Sequence, residues 1–197
     1  MMENFQLLAS PWWVNLGVFV PVASFFLWRR YNFEISWARL LYAGLFGIAF
    51  GVNEAVVVVY LRAATDLLSG FEHGLAGTVE SLSAYEQMQL LNAMPVTLVS
   101  IELVREAATL IILATVACAV ARRIPERWAL FLWMFAFWDI FYYIGLWIIV
   151  YWPPSLLTQD VLFLIPVPWI AQVWFPILVS ILCIGAVALA RTDKMQP

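Results

Sequence analysis

The chain has 197 residues, of which 64% are hydrophobic and 12% are charged, and its mean hydropathy is +0.90. A soluble domain is about half apolar and a quarter charged, so this composition excludes an ordinary soluble protein and predicts an integral membrane protein. The formal net charge is −3 and the sequence contains no basic patch, so we expect no nucleic-acid partner.

Five apolar stretches are each long enough to cross a bilayer, which takes about 20 helical residues. They cover residues 12–28, 40–61, 94–121, 128–151 and 168–190. None shows the polar and apolar faces of a soluble surface helix. The sequence therefore predicts an all-α fold, a single domain over residues 1–197 built as a polytopic transmembrane bundle of about five spans.

The basic residues are distributed unevenly between the two ends of these spans. Eight of the ten lie between spans one and two, between spans three and four, or after span five: Arg29, Arg30, Arg39, Arg122, Arg123, Arg127, Arg191 and Lys194. Positively charged loops stay in the cytoplasm. The pattern predicts a multi-pass protein of the bacterial inner (cytoplasmic) membrane, with its N-terminus in the periplasm, its C-terminus in the cytoplasm and the lipid bilayer around it.

Two connections fall on the predicted outer side. Residues 62–93 form a long loop that holds the only histidine, His73, which we interpret as a solvated loop residue, and residues 78–94 resemble a surface helix with an apolar face. Residues 152–168 carry four prolines around an apolar run that is too short to span. This composition predicts a short interfacial or re-entrant segment.

Ionisable residues inside the predicted spans are the main functional signal. They are Glu54, beside Asn53, in the second span, Glu102, Arg105 and Glu106 in the third, and Asp139, with Tyr142 and Tyr143, in the fourth. In the third and fourth spans, spacings of three and four residues place each set on one helix face. An ionised residue at the bilayer centre is unfavourable by roughly 2.5–3.5 kcal/mol. We therefore predict that these groups meet in one pocket open to the periplasm, with Asp160 as a further acid above it.

Arg105 is the only basic residue within a span. It can neutralise one carboxylate, most simply Glu102 at i−3, with a bridge to Asp139 as an alternative. About two acids are then left without a cation, so they either carry protons or hold a bound cation. Carboxylates without histidine suit a divalent cation such as Mg²⁺, Ca²⁺ or Mn²⁺, for which Glu54, Glu102, Glu106 and Asp139 are the candidate ligands.

Several functions are compatible with this pattern. The leading interpretation is binding of a cation or a small polar ligand, including the version in which the protein is a metal-dependent membrane enzyme. The alternatives are a proton- or cation-coupled carrier and a structural or accessory subunit that contacts other proteins of a membrane complex. Polar groups can also serve only to join helices. No nucleophile motif supports a catalytic residue.

Three stretches, FGVNEAVVVVYLR, IELVREAATLIILATVA and FWDIFYYIGLWIIVYWPPSLLTQDVLFLIPVPW, are similar to an uncharacterised family of bacterial polytopic integral membrane proteins. The resemblance covers spans two to five and implies no activity. The residues that it marks are Glu54, Arg62, Glu102, Arg105, Glu106, Asp139, Tyr142, Asp160, Pro166 and Trp169.

Overall fold

The computed structural model describes residues 8–30, 34–64 and 96–192, and most of them are helical. A 3₁₀ helix at Trp12–Val18 leads into α1 (Phe19–Arg30), which is followed by α2 (Trp37–Ala64), α3 (Val96–Val120) and α4 (Ile124–Val150). Two antiparallel strands, β1 (Gln159–Phe163) and β2 (Trp169–Gln172), lie between α4 and α5 (Trp174–Thr192). The structure thus agrees with a mostly helical fold and adds a small sheet that the all-α prediction did not contain.

Within the described residues, four helices are long and apolar enough to cross a membrane. They are Trp37–Leu61, Thr97–Val120, Ile124–Val150 and Trp174–Arg191. These helices correspond to predicted spans two to five, so the chain has the features of a multi-pass membrane protein.

The first predicted span, 12–28, is not a single α-helix. Its first part is the 3₁₀ helix, and α1 has only 12 residues. Pro21 accounts for the division, because it has no N–H group to donate to the carbonyl of Gly17. The regular α-helix begins at Phe19, which places Pro21 in its first turn. The N–H groups of the first turn have no partner within a helix, so a proline is tolerated there.

The fifth predicted span, 168–190, begins too early. Its first residues form β2, and α5 starts at Trp174. A short apolar run carries no periodicity that separates a strand from a helix. Pro166 and Pro168 also prevent a helix from continuing upstream, so the strand is the accessible conformation.

Helix α4 is the centre of the bundle, since it packs against α2, α3 and α5. Its most extensive contact is with α2, where Gly47 and Gly51 face it. A methyl group on Gly47 would lie 2.6 Å from the carbonyl oxygen of Met134, and one on Gly51 would overlap the carbonyl oxygen of Trp138. The missing side chains therefore let the two backbones approach closely.

The end of α4 positions the sheet over the bundle. Tyr151 caps the helix in the left-handed conformation (φ 55°) and donates its N–H to the carbonyl of Trp147. Prolines at 153 and 154 then prevent helix formation.

In the sheet, Ile170 of β2 exchanges two backbone hydrogen bonds with Ser10, of 2.7 and 2.8 Å, so the segment before the 3₁₀ helix pairs with the outer edge of β2. The segment predicted to be interfacial or re-entrant thus has paired backbone groups, which an apolar environment requires.

Candidate functional site

A cavity of about 220 Å³ lies where the 3₁₀ helix, the sheet and helices α2, α3, α4 and α5 meet. Nine polar side chains line it: Glu54, Glu102, Arg105, Glu106, Thr109, Asp139, Tyr142, Tyr143 and Asp160. The rest of the lining is apolar and combines aliphatic residues with five aromatic ones. The structure therefore brings together the acids, the arginine and the tyrosines that the sequence singled out, from three helices and a strand.

Arg105 joins α2 to α3 by pairing with two carboxylates. Its Nε and Nη2 lie 2.8 and 2.7 Å from Oε2 of Glu102, one turn earlier on the same helix. Its Nη1 forms an ion pair with Glu54 of α2. Both glutamates are buried. The predicted pairing with Glu102 is present, and the second partner is Glu54 rather than Asp139.

Glu106 lies one turn beyond Glu102 and contacts the sheet instead of the arginine. Its Oε2 accepts a hydrogen bond of 2.9 Å from the backbone N–H of Leu164, which follows β1. A hydrogen bond to a charged group is worth roughly 1.5–3 kcal/mol. This contact therefore fixes the connection between the strands against α3.

Asp139 and Asp160 each accept a hydrogen bond from a buried hydroxyl. The hydroxyl of Ser180 in α5 donates to Oδ2 of Asp139 at 2.8 Å, and the hydroxyl of Tyr143 donates to Oδ2 of Asp160 at 2.9 Å. Asp139 thus links α4 to α5, and Asp160 links β1 to α4. Ser180 was not predicted from the sequence, where its only signal is its position as a hydroxyl residue within the apolar run of the last helix.

Aromatic side chains form the apolar wall of the cavity. The ring centroid of Phe163 lies 6.1 Å from that of Trp138 and 5.5 Å from that of Trp169. The ring of Phe135 packs on Trp138 at a centroid distance of 5.4 Å. The Nε1 atoms of Trp138 and Trp169 are buried and have no hydrogen-bond partner in the described part of the chain. The wall therefore contains two buried N–H groups without an acceptor among the described residues, and the residue composition alone did not separate these aromatics from lipid-facing ones.

Among the described residues, one predicted site residue does not line the cavity. Asn53 is exposed, because adjacent residues of a helix point about 100° apart and Glu54 occupies the inward position. The side chain of Arg62 lies outside the described residues. So do His73 and the predicted surface helix at 78–94.

The proposed divalent-cation site is not supported by the geometry. Among residues 8–30, 34–64 and 96–192, no three histidine, cysteine, aspartate or glutamate side chains are grouped so that they could hold a metal ion. The four candidate ligands have other partners: Glu54 and Glu102 pair with Arg105, Glu106 with a backbone N–H, and Asp139 with Ser180.

Comparison with known proteins gives no assignment. No family model, no curated protein and no solved structure matches this chain, so its similarity to uncharacterised bacterial membrane proteins stays a prediction.

Proposed function

We propose that this chain is a five-span protein of the bacterial inner membrane that binds a small organic cation, with a protonated amine or a quaternary ammonium group, in the acidic cavity. The observation that carries the proposal is the charge of the lining. Among the described residues, five carboxyl groups and a single arginine line one cavity. The ligand belongs to the cations and small polar molecules that the sequence favours.

The carboxyl groups exceed the positive charge even after pairing. Arg105 is shared by Glu54 and Glu102. Glu106 and Asp139 accept hydrogen bonds from a backbone N–H and a hydroxyl group, both of them neutral. A buried carboxylate that forms no ion pair is unfavourable, so these two groups either hold protons or attract a cation. A bound ammonium group would donate hydrogen bonds to them and offset the charge.

The wall of the cavity favours an organic cation over a metal ion. A cation over an aromatic face within about 6 Å gains roughly 0.5–2 kcal/mol, and such faces are the usual site for alkylammonium groups. Phe135, Trp138, Phe163 and Trp169 offer several of these faces beside the acids. A divalent metal ion would require several oxygen ligands around one point. The described acids are not grouped in that way.

The proposed orientation places the cavity near the periplasm. The sheet and the connection 152–168 lie at the end opposite to the basic loops, which are retained in the cytoplasm. The first span would consist of the 3₁₀ helix and α1, which together reach about 32 Å at their usual rises, enough for a hydrocarbon core of about 30 Å. Ligand would then enter from the periplasmic side.

Ligand binding is tested by titrating the detergent-purified protein with methylammonium, tetramethylammonium, sodium or magnesium while its melting temperature is recorded. We expect the two ammonium ions to raise the melting temperature in a saturable way, because a ligand that binds only the folded protein stabilises it. Glu106→Gln should weaken this effect, whereas Asn53→Ala, at an exposed polar residue that lines neither the cavity nor any other described pocket, should leave it unchanged. Saturable stabilisation by magnesium alone would contradict the proposal and favour a metal site.

The orientation is tested by cysteine accessibility in a chain whose Cys118 and Cys183 are replaced by alanine. A membrane-impermeant maleimide added to intact cells should label Glu80→Cys and fail to label Ile124→Cys until the membrane is opened. Ile124 is 78% exposed in the protein, and its labelling once the membrane is opened shows that the earlier protection reports the side of the membrane. The reverse labelling pattern would invert the proposed topology.

A further inference from the structure

A second polar cleft lies at the end of the bundle opposite to the acidic cavity. It has a volume of about 630 Å³ and is formed where α2 begins, α3 ends and α4 begins. Its charged lining consists of Arg39, Arg122, Arg123, Glu34 and Glu126. Unlike the acidic cavity, it therefore combines three positive and two negative side chains around one space.

Glu126 is the unusual member of this group. Only 7% of its surface is exposed, and yet it lines the cleft. A carboxylate that is largely withdrawn from water is stabilised by a cation that contacts it. The arginines, in contrast, are exposed at the rim, where guanidinium groups bind phosphate through paired N–H donors.

We propose that this cleft binds a membrane phospholipid with a phosphoethanolamine headgroup. The phosphate would contact the arginines, and the primary ammonium would donate hydrogen bonds to Glu126. This arrangement matches both signs of charge in the cleft. A phosphatidylglycerol headgroup would supply no cation for Glu126, and a phosphatidylcholine headgroup has no N–H group to donate to it.

The position of the cleft favours a lipid over a soluble phosphate ester. Trp37 and Trp128, near the first residues of α2 and α4, are 51% and 39% exposed, and tryptophans at such positions mark the membrane interface. Val120, which lines the cleft, and the neighbouring Ile124 are also exposed apolar side chains. Acyl chains of a bound lipid would therefore continue along an apolar surface, and basic clefts between helices on the cytoplasmic side are known lipid headgroup sites.

The test is native mass spectrometry of the detergent-purified protein titrated with dioleoyl-phosphatidylethanolamine, dioleoyl-phosphatidylglycerol or dioleoyl-phosphatidylcholine. We expect phosphatidylethanolamine to be retained about tenfold better than the other two lipids, which is the usual effect of one charge-assisted hydrogen bond. Glu126→Gln should remove this preference while leaving phosphatidylglycerol binding unchanged. Arg39→Gln should weaken binding of all three lipids, and Arg30→Gln, an exposed arginine outside the cleft, should serve as the unaffected control.

Three results would overturn the proposal. Equal retention of the three lipids would show that the headgroup is not recognised. An unchanged preference in Glu126→Gln would remove the carboxylate from the site. Binding of soluble O-phosphoethanolamine without retention of the lipid would assign the cleft to a water-soluble ligand.

Discussion

Helices α2 and α3 both pack on α4, but they do so by different means. At α2 the glycines at 47 and 51 bring the two backbones into direct contact, and no space remains between them. Less of α3 is buried, and long polar side chains connect it to the rest of the bundle: Arg105 reaches Glu54 of α2, and Glu106 reaches the backbone of Leu164. The acidic cavity lies on the side of α3. Close backbone packing thus fills the space between α2 and α4 at the glycines, and polar bridges connect α3 on the side where the cavity lies.

The largest loss of stability should come from removing Arg105, the charged link between α3 and α2. In Arg105→Leu, two buried glutamates lose their cation, which costs roughly 3–5 kcal/mol for a broken buried ion pair. The detergent melting temperature should fall strongly, and adding Glu102→Gln should recover part of the loss because one unpaired carboxylate is removed. Arg30→Leu, at the exposed end of α1, is the control. A melting temperature equal to that of the parent would show that the polar bridge does not hold α3.

A smaller loss of stability is expected when the close contact between α2 and α4 is disturbed. The methyl group in Gly51→Ala would overlap the carbonyl of Trp138, so the helices must separate, and overpacking of this kind costs roughly 1–3 kcal/mol. Gly185→Ala in α5 is the matched control, because a methyl group there meets nothing within 4 Å. Equal melting temperatures for the two variants would contradict the described packing of α2 on α4.

The smallest loss of stability should come from removing the hydrogen bond that links the sheet to α4. Tyr143→Phe removes the hydroxyl that donates to Asp160, and loss of one hydrogen bond costs about 0.5–1.5 kcal/mol. Since the sheet covers the cavity, this variant should also increase the hydrogen exchange of residues 159–172 without affecting the contact between α2 and α4. Tyr60→Phe, at an exposed tyrosine of α2, should change neither measurement. Increased exchange throughout the protein would mean that the sheet is not an independent layer.

Much of the helical architecture follows from the sequence because it depends on local properties. A run of about 20 apolar residues can satisfy its backbone in lipid only as a helix or a closed barrel. The predicted stretches 40–61, 94–121 and 128–151 accordingly correspond to α2, α3 and α4. The predicted helical spans are wrong at 12–28, where a proline divides the segment into a 3₁₀ helix and an α-helix, and at 168–173, where a short apolar run forms a strand instead of a helix.

The sequence by itself determined that Glu54, Glu102, Arg105, Glu106 and Asp139 could not all face lipid, because the free energy of exposing several charges there is too high. Helical periodicity also placed Arg105 beside Glu102. Only the tertiary structure decided that the second partner of Arg105 is Glu54, that Ser180 and Tyr143 donate to the aspartates, and that aromatic residues of a sheet close the cavity. These choices depend on which helices are neighbours and on the folding of residues 159–172 into strands, and such long-range pairings leave no periodic pattern in the sequence.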